Sequence, residues 1–157
     1  MAYGYYFYYS PYNSFKRPIY TVLTVIASLL HLLEINSLLL LTVFTSNEHH
    51  GIHVFGFSSF QVCAVLYMVL HLFLYKQSGR YISGRTERHS YRWKKKCLSA
   101  TILLLLLCTY FYYRHNKYCE PYVFSAFALC EYLLVVANVM FHSTVRFDLK
   151  EQYIVLG

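Results

Sequence analysis

Residues Tyr112–Asp148 read YYRHNKYCEPYVFSAFALCEYLLVVANVMFHSTVRFD. This stretch places a short polar turn, Arg114 to Glu120, directly before an apolar segment of membrane length. On a helix each residue advances 100°, so four polar residues of this stretch fall within about 40° of one another. These residues are Glu120, Glu131, Asn138 and His142. The pattern predicts a membrane-spanning helix with one polar face, which a purely structural span does not need.

The composition places the whole chain in a membrane. Of its 157 residues, 57% are hydrophobic and 13% are charged, whereas about 25% of the residues of a soluble domain are charged. The chain has 18 tyrosines, and tyrosine side chains often anchor helices where the bilayer meets water. We therefore predict an integral membrane protein rather than a soluble one.

The positive charge is concentrated in one segment. The net charge is +7, and eight of the fourteen basic residues lie between Lys76 and Lys96. Because this segment joins two apolar runs, it is better explained as a cytosolic loop that sets topology than as a nucleic-acid site. No nucleic-acid partner is expected.

The apolar runs predict an all-α, polytopic transmembrane helical bundle with four full spans. Each run is close in length to the roughly 20 residues that a helix needs to cross a hydrocarbon core about 30 Å thick. They cover about 19–44, 52–75, 97–113 and 121–142. With Lys76–Lys96 in the cytosol, four spans place both termini there as well. The domain division is an aromatic amino-terminal stub at 1–18, the membrane domain at 19–148 and a cytosolic tail at 149–157.

Two glutamates lie inside these spans. A carboxylate in a bilayer costs about 3 kcal/mol even on lenient insertion scales, so Glu34 and Glu131 should face the bundle interior. Counting along each helix places both roughly 15 to 17 Å from the non-cytosolic boundary, and His31 shares a face with Glu34. If the first and fourth spans are neighbours, the two carboxyls can meet.

Two interpretations of the glutamates stay open. A close pair would share a proton, and one carboxyl could then act as a base on a lipid hydroxyl with His31 as relay. Alternatively, each glutamate only forms hydrogen bonds between helices and fixes their packing. Metal binding by His31, Glu34 and Glu131 is conceivable, but these residues do not form an HxxxH or Cys/His motif. His49, His50 and His53 are better explained as solvated side chains of a polar turn, so no metal and no cofactor are predicted.

The turn before the fourth span carries candidate substrate-binding residues. Arg114, His115 and Lys117 lie on the side that is usually poor in Lys and Arg, and such cations bind phosphate-bearing headgroups. The alternative is local neutralisation by Glu120 and Glu48. Two further candidates on the span, Asn138 and His142, either contact substrate or hydrogen-bond between helices.

Short motifs along the chain match a known family. As they stand here, they are Glu34 with Asn36, Ile52-His53, Ser90-Tyr91-Arg92-Trp93-Lys94, Tyr113-Arg114-His115-Asn116, Tyr118-Cys119-Glu120, Phe127-Ala128, Glu131-Tyr132, Asn138, Phe141-His142 and Asp148. With these residues, about three quarters of the chain resembles the post-GPI-attachment-to-proteins factor 2 family of the Frag/DRAM/Sfk group.

The resemblance implies a multi-pass protein of the Golgi or ER membrane that takes part in remodelling the fatty acids of GPI anchors. In that family the lyso-GPI intermediate receives a new acyl chain, so the implied partners are GPI lipid or GPI-anchored proteins, the membrane and partner membrane proteins. The resemblance leaves open whether such a protein catalyses the acyl transfer. The alternative is a non-catalytic lipid-binding or scaffold protein, inactive through truncation.

Two departures from the family pattern qualify this expectation. The family has further spans before this point, and Met1–Ser10 looks like the end of a helix, so we expect amino-terminal spans to be missing. Tyr67 also stands in the second span where a histidine is expected.

Overall fold

The computed structural model describes residues 18–46, 48–79, 82, 84–118, 120 and 122–149. Within these residues the protein is all-helical. The helices are α1 (Pro18–Val43), α2 (His50–Gln77), α3 (Arg85–Tyr118), α4 (Val123–Ser143) and α5 (Val145–Leu149).

Among the described residues, four segments are long and apolar enough to cross a membrane. They are α1, α2, α3 and the stretch Val123–Asp148, in which α4 continues into α5. This confirms the predicted all-α class and the four membrane-crossing helices. The cytosolic placement of both termini stays a prediction. The stub at 1–18 lies outside the described residues except for Pro18, and the tail at 149–157 does so except for Leu149.

The chain divides into two compact units, Met1–Gly84 and Arg85–Gly157. In the first unit, α1 and α2 pack against each other as a helical hairpin. Gly56 permits close packing, since a Cβ at this position would lie 3.3 Å from Cδ2 of Leu40. At the hairpin's connection, Nδ1 of His53 lies 2.9 Å from the backbone oxygen of Phe44. This hydrogen bond ties the start of α2 to the end of α1.

In the second unit, α3 packs against α4, and α5 packs against α3. The chain turns sharply before α4, because Tyr122 adopts a left-handed conformation with φ of 69°. The described helix therefore begins at Val123. The prediction that Glu120 shares a helical face with Glu131 is wrong, since Glu120 precedes the turn and belongs to no helix.

Helix α3 is much longer than the predicted third span at 97–113. Its 34 residues make it about 51 Å long, against a hydrocarbon core of about 30 Å. The second half of the basic segment, from Arg85, is helical rather than a loop. The supposed turn after the span is likewise helical as far as Tyr118. Hydropathy locates only the apolar middle of such a helix, because its ends are polar.

Candidate functional site

The first candidate site lies in the hairpin of α1 and α2. Nδ1 of His31 lies 3.5 Å from Oε2 of Glu34, one helical turn away on α1. Glu34 is 2% exposed and His31 is half-buried. The predicted sharing of a face by these two residues is thus observed. A buried carboxylate needs such a partner, since isolated burial of its charge is costly.

An aromatic column on α2 extends this pair. The ring of His31 stacks on that of Tyr67, with centroids 5.1 Å apart and planes 24° apart. The column continues from Tyr67 to His71, with centroids 5.6 Å apart, and from His71 to Tyr75 at 6.4 Å. Spacing of four residues places Tyr67, His71 and Tyr75 on one face of the helix. All three are buried.

Sequence reasoning missed Tyr67 and His71 as site residues. It singled out Tyr67 only as a departure from the family pattern, yet this is the ring that stacks on His31. The signal that could have found them is their spacing of four residues on an apolar helix. An imidazole that contacts a carboxylate through Nδ1 can exchange a proton through its second ring nitrogen. The cluster can therefore hold and transfer a proton within an apolar helix pair.

The polar face of α4 carries three further candidates. Glu131 is half-buried, Asn138 is 5% exposed and His142 is half-buried. All three lie within α4, so helical geometry places them on one face. Glu34 and Glu131 belong to different units of the chain. Their meeting therefore stays a prediction.

The second candidate site lies at the end of α3. The guanidinium of Arg114 forms a salt bridge with Glu120, and its Nη1 donates a hydrogen bond of 3.0 Å to the hydroxyl of Tyr110. It also lies 5.8 Å from the ring centroids of Tyr110 and Tyr118. The side chains of Arg114 and Glu120 are 37% and 36% exposed. The alternative of local neutralisation by Glu120 is therefore observed for Arg114.

Lys117 differs from Arg114 in its partners. Its Nζ donates a hydrogen bond of 3.0 Å to the hydroxyl of Tyr113 and lies 5.3 Å from the ring centroid of Tyr118. Within the described residues it forms no salt bridge with a carboxylate, and it is exposed. The ammonium group is thus held on aromatic rings while keeping its charge available to an anion.

His115 points its ring towards a different neighbour, Phe124 of α4, with centroids 5.2 Å apart. Two buried nitrogens at this site, Nε of Arg114 and Nδ1 of His115, have no hydrogen-bond partner among the residues that the structure describes. Buried polar atoms are normally satisfied. The three predicted basic side chains thus occur together at one end of α3, where the N–H at Nε of Arg114 can donate a hydrogen bond to a ligand.

A third polar cluster joins α3 to α5, and sequence reasoning assigned it no role. Nζ of Lys94 donates hydrogen bonds to Oδ2 of Asp148 at 2.6 Å and to Oγ of Ser90 at 2.8 Å. Oγ of Ser90 donates to Oδ1 of Asp148 at 2.6 Å. All three residues are at most 1% exposed. Because every polar atom of this cluster is paired, it acts as a clamp that holds α5 on α3.

Comparison with known proteins identifies relatives of this chain. Residues 1–152 match the family model for the Frag1/DRAM/Sfk1/Cwh43P N-terminal domain. The chain is 37% identical to Post-GPI attachment to proteins factor 2 of Caenorhabditis elegans over 83% of its own length and 50% of the relative's. It is 36% identical to Acyltransferase PGAP2 of Xenopus tropicalis over 94% of its own length and 58% of the relative's.

A third relative is Post-GPI attachment to proteins factor 2-like of Drosophila melanogaster, 30% identical over 87% of this chain and 42% of the relative. The chain thus spans about half the length of the curated relatives it matches. No solved structure matches it.

Proposed function

Because the chain belongs to the Frag1/DRAM/Sfk1/Cwh43P family, we propose that it takes part in remodelling the lipid of GPI anchors by handling or reacylating the lyso-GPI intermediate. The observation that carries this proposal is the 36–37% identity to relatives named Post-GPI attachment to proteins factor 2 and Acyltransferase PGAP2. The Golgi or ER membrane is the proposed location, and GPI lipid or GPI-anchored proteins are the proposed substrates. Other membrane proteins are proposed as partners.

The cations at the end of α3 suit the headgroup. A GPI lipid carries its phosphate between the lipid and inositol, at the surface of the bilayer. Lys117 offers an ammonium group that no carboxylate of the described residues neutralises, and Arg114 offers a guanidinium that Glu120 holds in place. Phosphate binds to guanidinium in two-point geometry and to ammonium as a point charge. We assign headgroup binding to Arg114, Lys117 and His115.

The His31–Glu34 pair suits the acyl transfer. A base is needed to take the proton from the lyso-lipid hydroxyl as its oxygen forms an ester bond with the acyl carbonyl carbon. The bond from that carbon to the donor's leaving atom breaks, and the leaving group receives the proton. Buried Glu34 is the proposed base and His31 the relay, given their 3.5 Å contact.

On α4, Glu131 is the proposed second carboxyl of the pair. Asn138 and His142 lie on the same face of α4 as Glu131, and we propose that they make polar contacts with the substrate. The proposed acyl donor is an ester or a thioester, since acyl transfer needs a donor with a leaving group.

Substitution of the proposed base tests this function. Cells that lack the protein would be complemented with the wild type, with Glu34→Gln, or with Glu48→Gln as the matched control. Glu48 is exposed and lies outside the helices, so its substitution removes the same charge without touching the hairpin core. The readout is the ratio of lyso-GPI to remodelled GPI by mass spectrometry, normalised to the abundance of the protein.

The proposed role predicts that Glu48→Gln restores remodelled GPI and that Glu34→Gln, present at equal abundance, leaves lyso-GPI unconverted. Normal GPI lipids with Glu34→Gln would rule out Glu34 as the base. If Glu34→Gln instead removes the protein from the membrane, the scaffold alternative explains the glutamate better.

A further inference from the structure

The helical start of α3 carries an ordered set of charges that the proposed function does not use. Six cations lie between Arg85 and Lys96, and five of them are exposed. At 100° per residue, the exposed five fall within an arc of about 100°. They are Arg85, Arg88, Arg92, Lys95 and Lys96. We call this arc the basic face.

The opposite side of the same helical segment is buried. Glu87, Ser90 and Lys94 are at most 4% exposed, and they lie on the side away from the basic face. Lys94, the sixth cation, is paired with Asp148 there. The clamp therefore fixes the rotation of the helix and directs the other five cations outwards.

Two aromatic residues flank the basic face. Trp93 is 37% exposed, and Nζ of Lys96 lies 5.3 Å from its ring centroid. On the other flank, Nζ of Lys95 lies 5.9 Å from the ring centroid of Tyr91. Tryptophan and tyrosine are enriched where membrane proteins meet lipid headgroups. The charge and the aromatic residues together match the chemistry of a bilayer surface.

The basic face also lies directly beside the membrane-crossing part of α3. The apolar run begins at Cys97. By the helical rise, Arg92 lies about 7.5 Å before it and Arg85 about 18 Å before it. The electrostatic screening length is about 8 Å at physiological salt. Arg92, Lys95 and Lys96 are therefore within reach of the headgroups, whereas Arg85 and Arg88 are largely beyond it.

We propose that the basic face of α3 binds the anionic headgroups of the adjacent bilayer leaflet, with Arg92, Lys95 and Lys96 as its principal contacts. A topology signal needs only enough Lys and Arg on one side of a span. It does not require them on one face, next to exposed aromatic residues and opposite a buried clamp. The partner is thus a lipid surface with net negative charge, such as one that contains phosphatidylserine.

The chain contains its own probe, since Trp93 is its single tryptophan. The full chain would be reconstituted in phosphatidylcholine vesicles that contain a trace of dansyl-labelled phosphatidylserine or, in parallel, dansyl-labelled phosphatidylcholine. Energy transfer from Trp93 reports which lipid is enriched near the helix. Both leaflets have the same composition, so the result does not depend on the direction of insertion.

Two pairs of substitutions on the same face test whether the cations nearest the bilayer carry the binding. Lys95→Gln with Lys96→Gln removes two charges next to the bilayer, and Arg85→Gln with Arg88→Gln removes two charges farther away. Lys95→Arg with Lys96→Arg keeps the charge. All four substituted side chains are exposed, and equal unfolding midpoints would show that the variants fold.

We expect the wild type to favour the anionic probe on the order of fivefold or more, since each nearby cation contributes about fivefold. The near pair of Gln substitutions should remove most of this preference, and the Arg pair should keep it. The far pair should change it little. In the wild type, roughly 1 M salt should abolish the preference.

An equal response to both probes in the wild type would overturn the proposal. So would an equal loss in the near and far Gln pairs, because the preference would then follow the total charge of the chain and not the cations nearest the headgroups.

Discussion

The ammonium group of Lys94 lies 2.6 Å from Oδ2 of Asp148, and both residues are at most 1% exposed. The contact joins residues 54 positions apart. It ties the short helix α5 to the polar start of α3, and Ser90 bridges the two charged groups. Each charge is stable in its buried place only because the other is present.

Removal of one member of this pair should destabilise the protein strongly. Asp148→Asn leaves the ammonium of Lys94 buried without a counter-charge, at an expected cost of about 3–5 kcal/mol. The double variant Lys94→Met with Asp148→Leu should recover most of this loss. Thermal unfolding of the purified chain in detergent, followed through Trp93, measures both effects. A wild-type midpoint for Asp148→Asn would show that the pair is not buried in the folded protein.

The packing of α1 against α2 should depend on Gly56. A leucine at this position would overlap Leu40, since even a Cβ would lie 3.3 Å from its Cδ2. Gly56→Leu should therefore lower the stability by about 1–3 kcal/mol.

Gly51 provides the matched control for this effect. It lies in the same helix, and a Cβ there would meet nothing within 4 Å among the described residues. Gly51→Leu, the same change at an open position, should be neutral or stabilise the protein by up to about 1 kcal/mol, since it reduces the entropy of the unfolded chain. Equal unfolding midpoints for Gly56→Leu and Gly51→Leu would contradict the close approach of the two helices.

The stack of Tyr67 on His31 should position the imidazole. Tyr67→Phe keeps the ring and should keep GPI remodelling, whereas Tyr67→Leu should slow it by about 10- to 100-fold through misplacement of His31. The measurement is the rate at which lyso-GPI is converted in complemented cells at equal protein abundance. If both variants are equally slow, the Tyr67 hydroxyl rather than the stack is what matters.

The cations at the end of α3 should govern binding of the headgroup. Lys117→Gln should weaken binding of a water-soluble inositol phosphate to the purified chain, because it removes the ammonium that is not paired with a carboxylate. Glu120→Gln should strengthen binding, since it releases the guanidinium of Arg114 from its salt bridge. Asn116→Ala, an exposed position between the two cations, serves as the control. Titration calorimetry would show whether the two charge changes act in opposite directions.

The sequence predicted those parts of the fold that depend on local apolar runs. The helices α1, α2 and α4 lie close to the predicted spans because polar connections border their apolar segments. Hydropathy does not predict the two ends of α3, residues 85–96 and 114–118, because they are helical but polar.

Some contacts of the candidate site can likewise be predicted from the sequence, and others cannot. The His31–Glu34 contact follows from a spacing of three residues on one helix, which the sequence shows directly. The stack of Tyr67 on His31 depends on how two helices pack. Glu120 lies outside α4, which begins after the left-handed residue Tyr122, and helical periodicity does not predict that conformation.

The proposed part of this chain in remodelling GPI-anchor lipid can be tested by mass spectrometry of GPI anchors from cells that lack the protein, with re-expression of the wild type as the control. Lyso-GPI forms should accumulate in these cells, and re-expression should remove them. Unchanged GPI lipids in the cells that lack the protein would contradict this proposal.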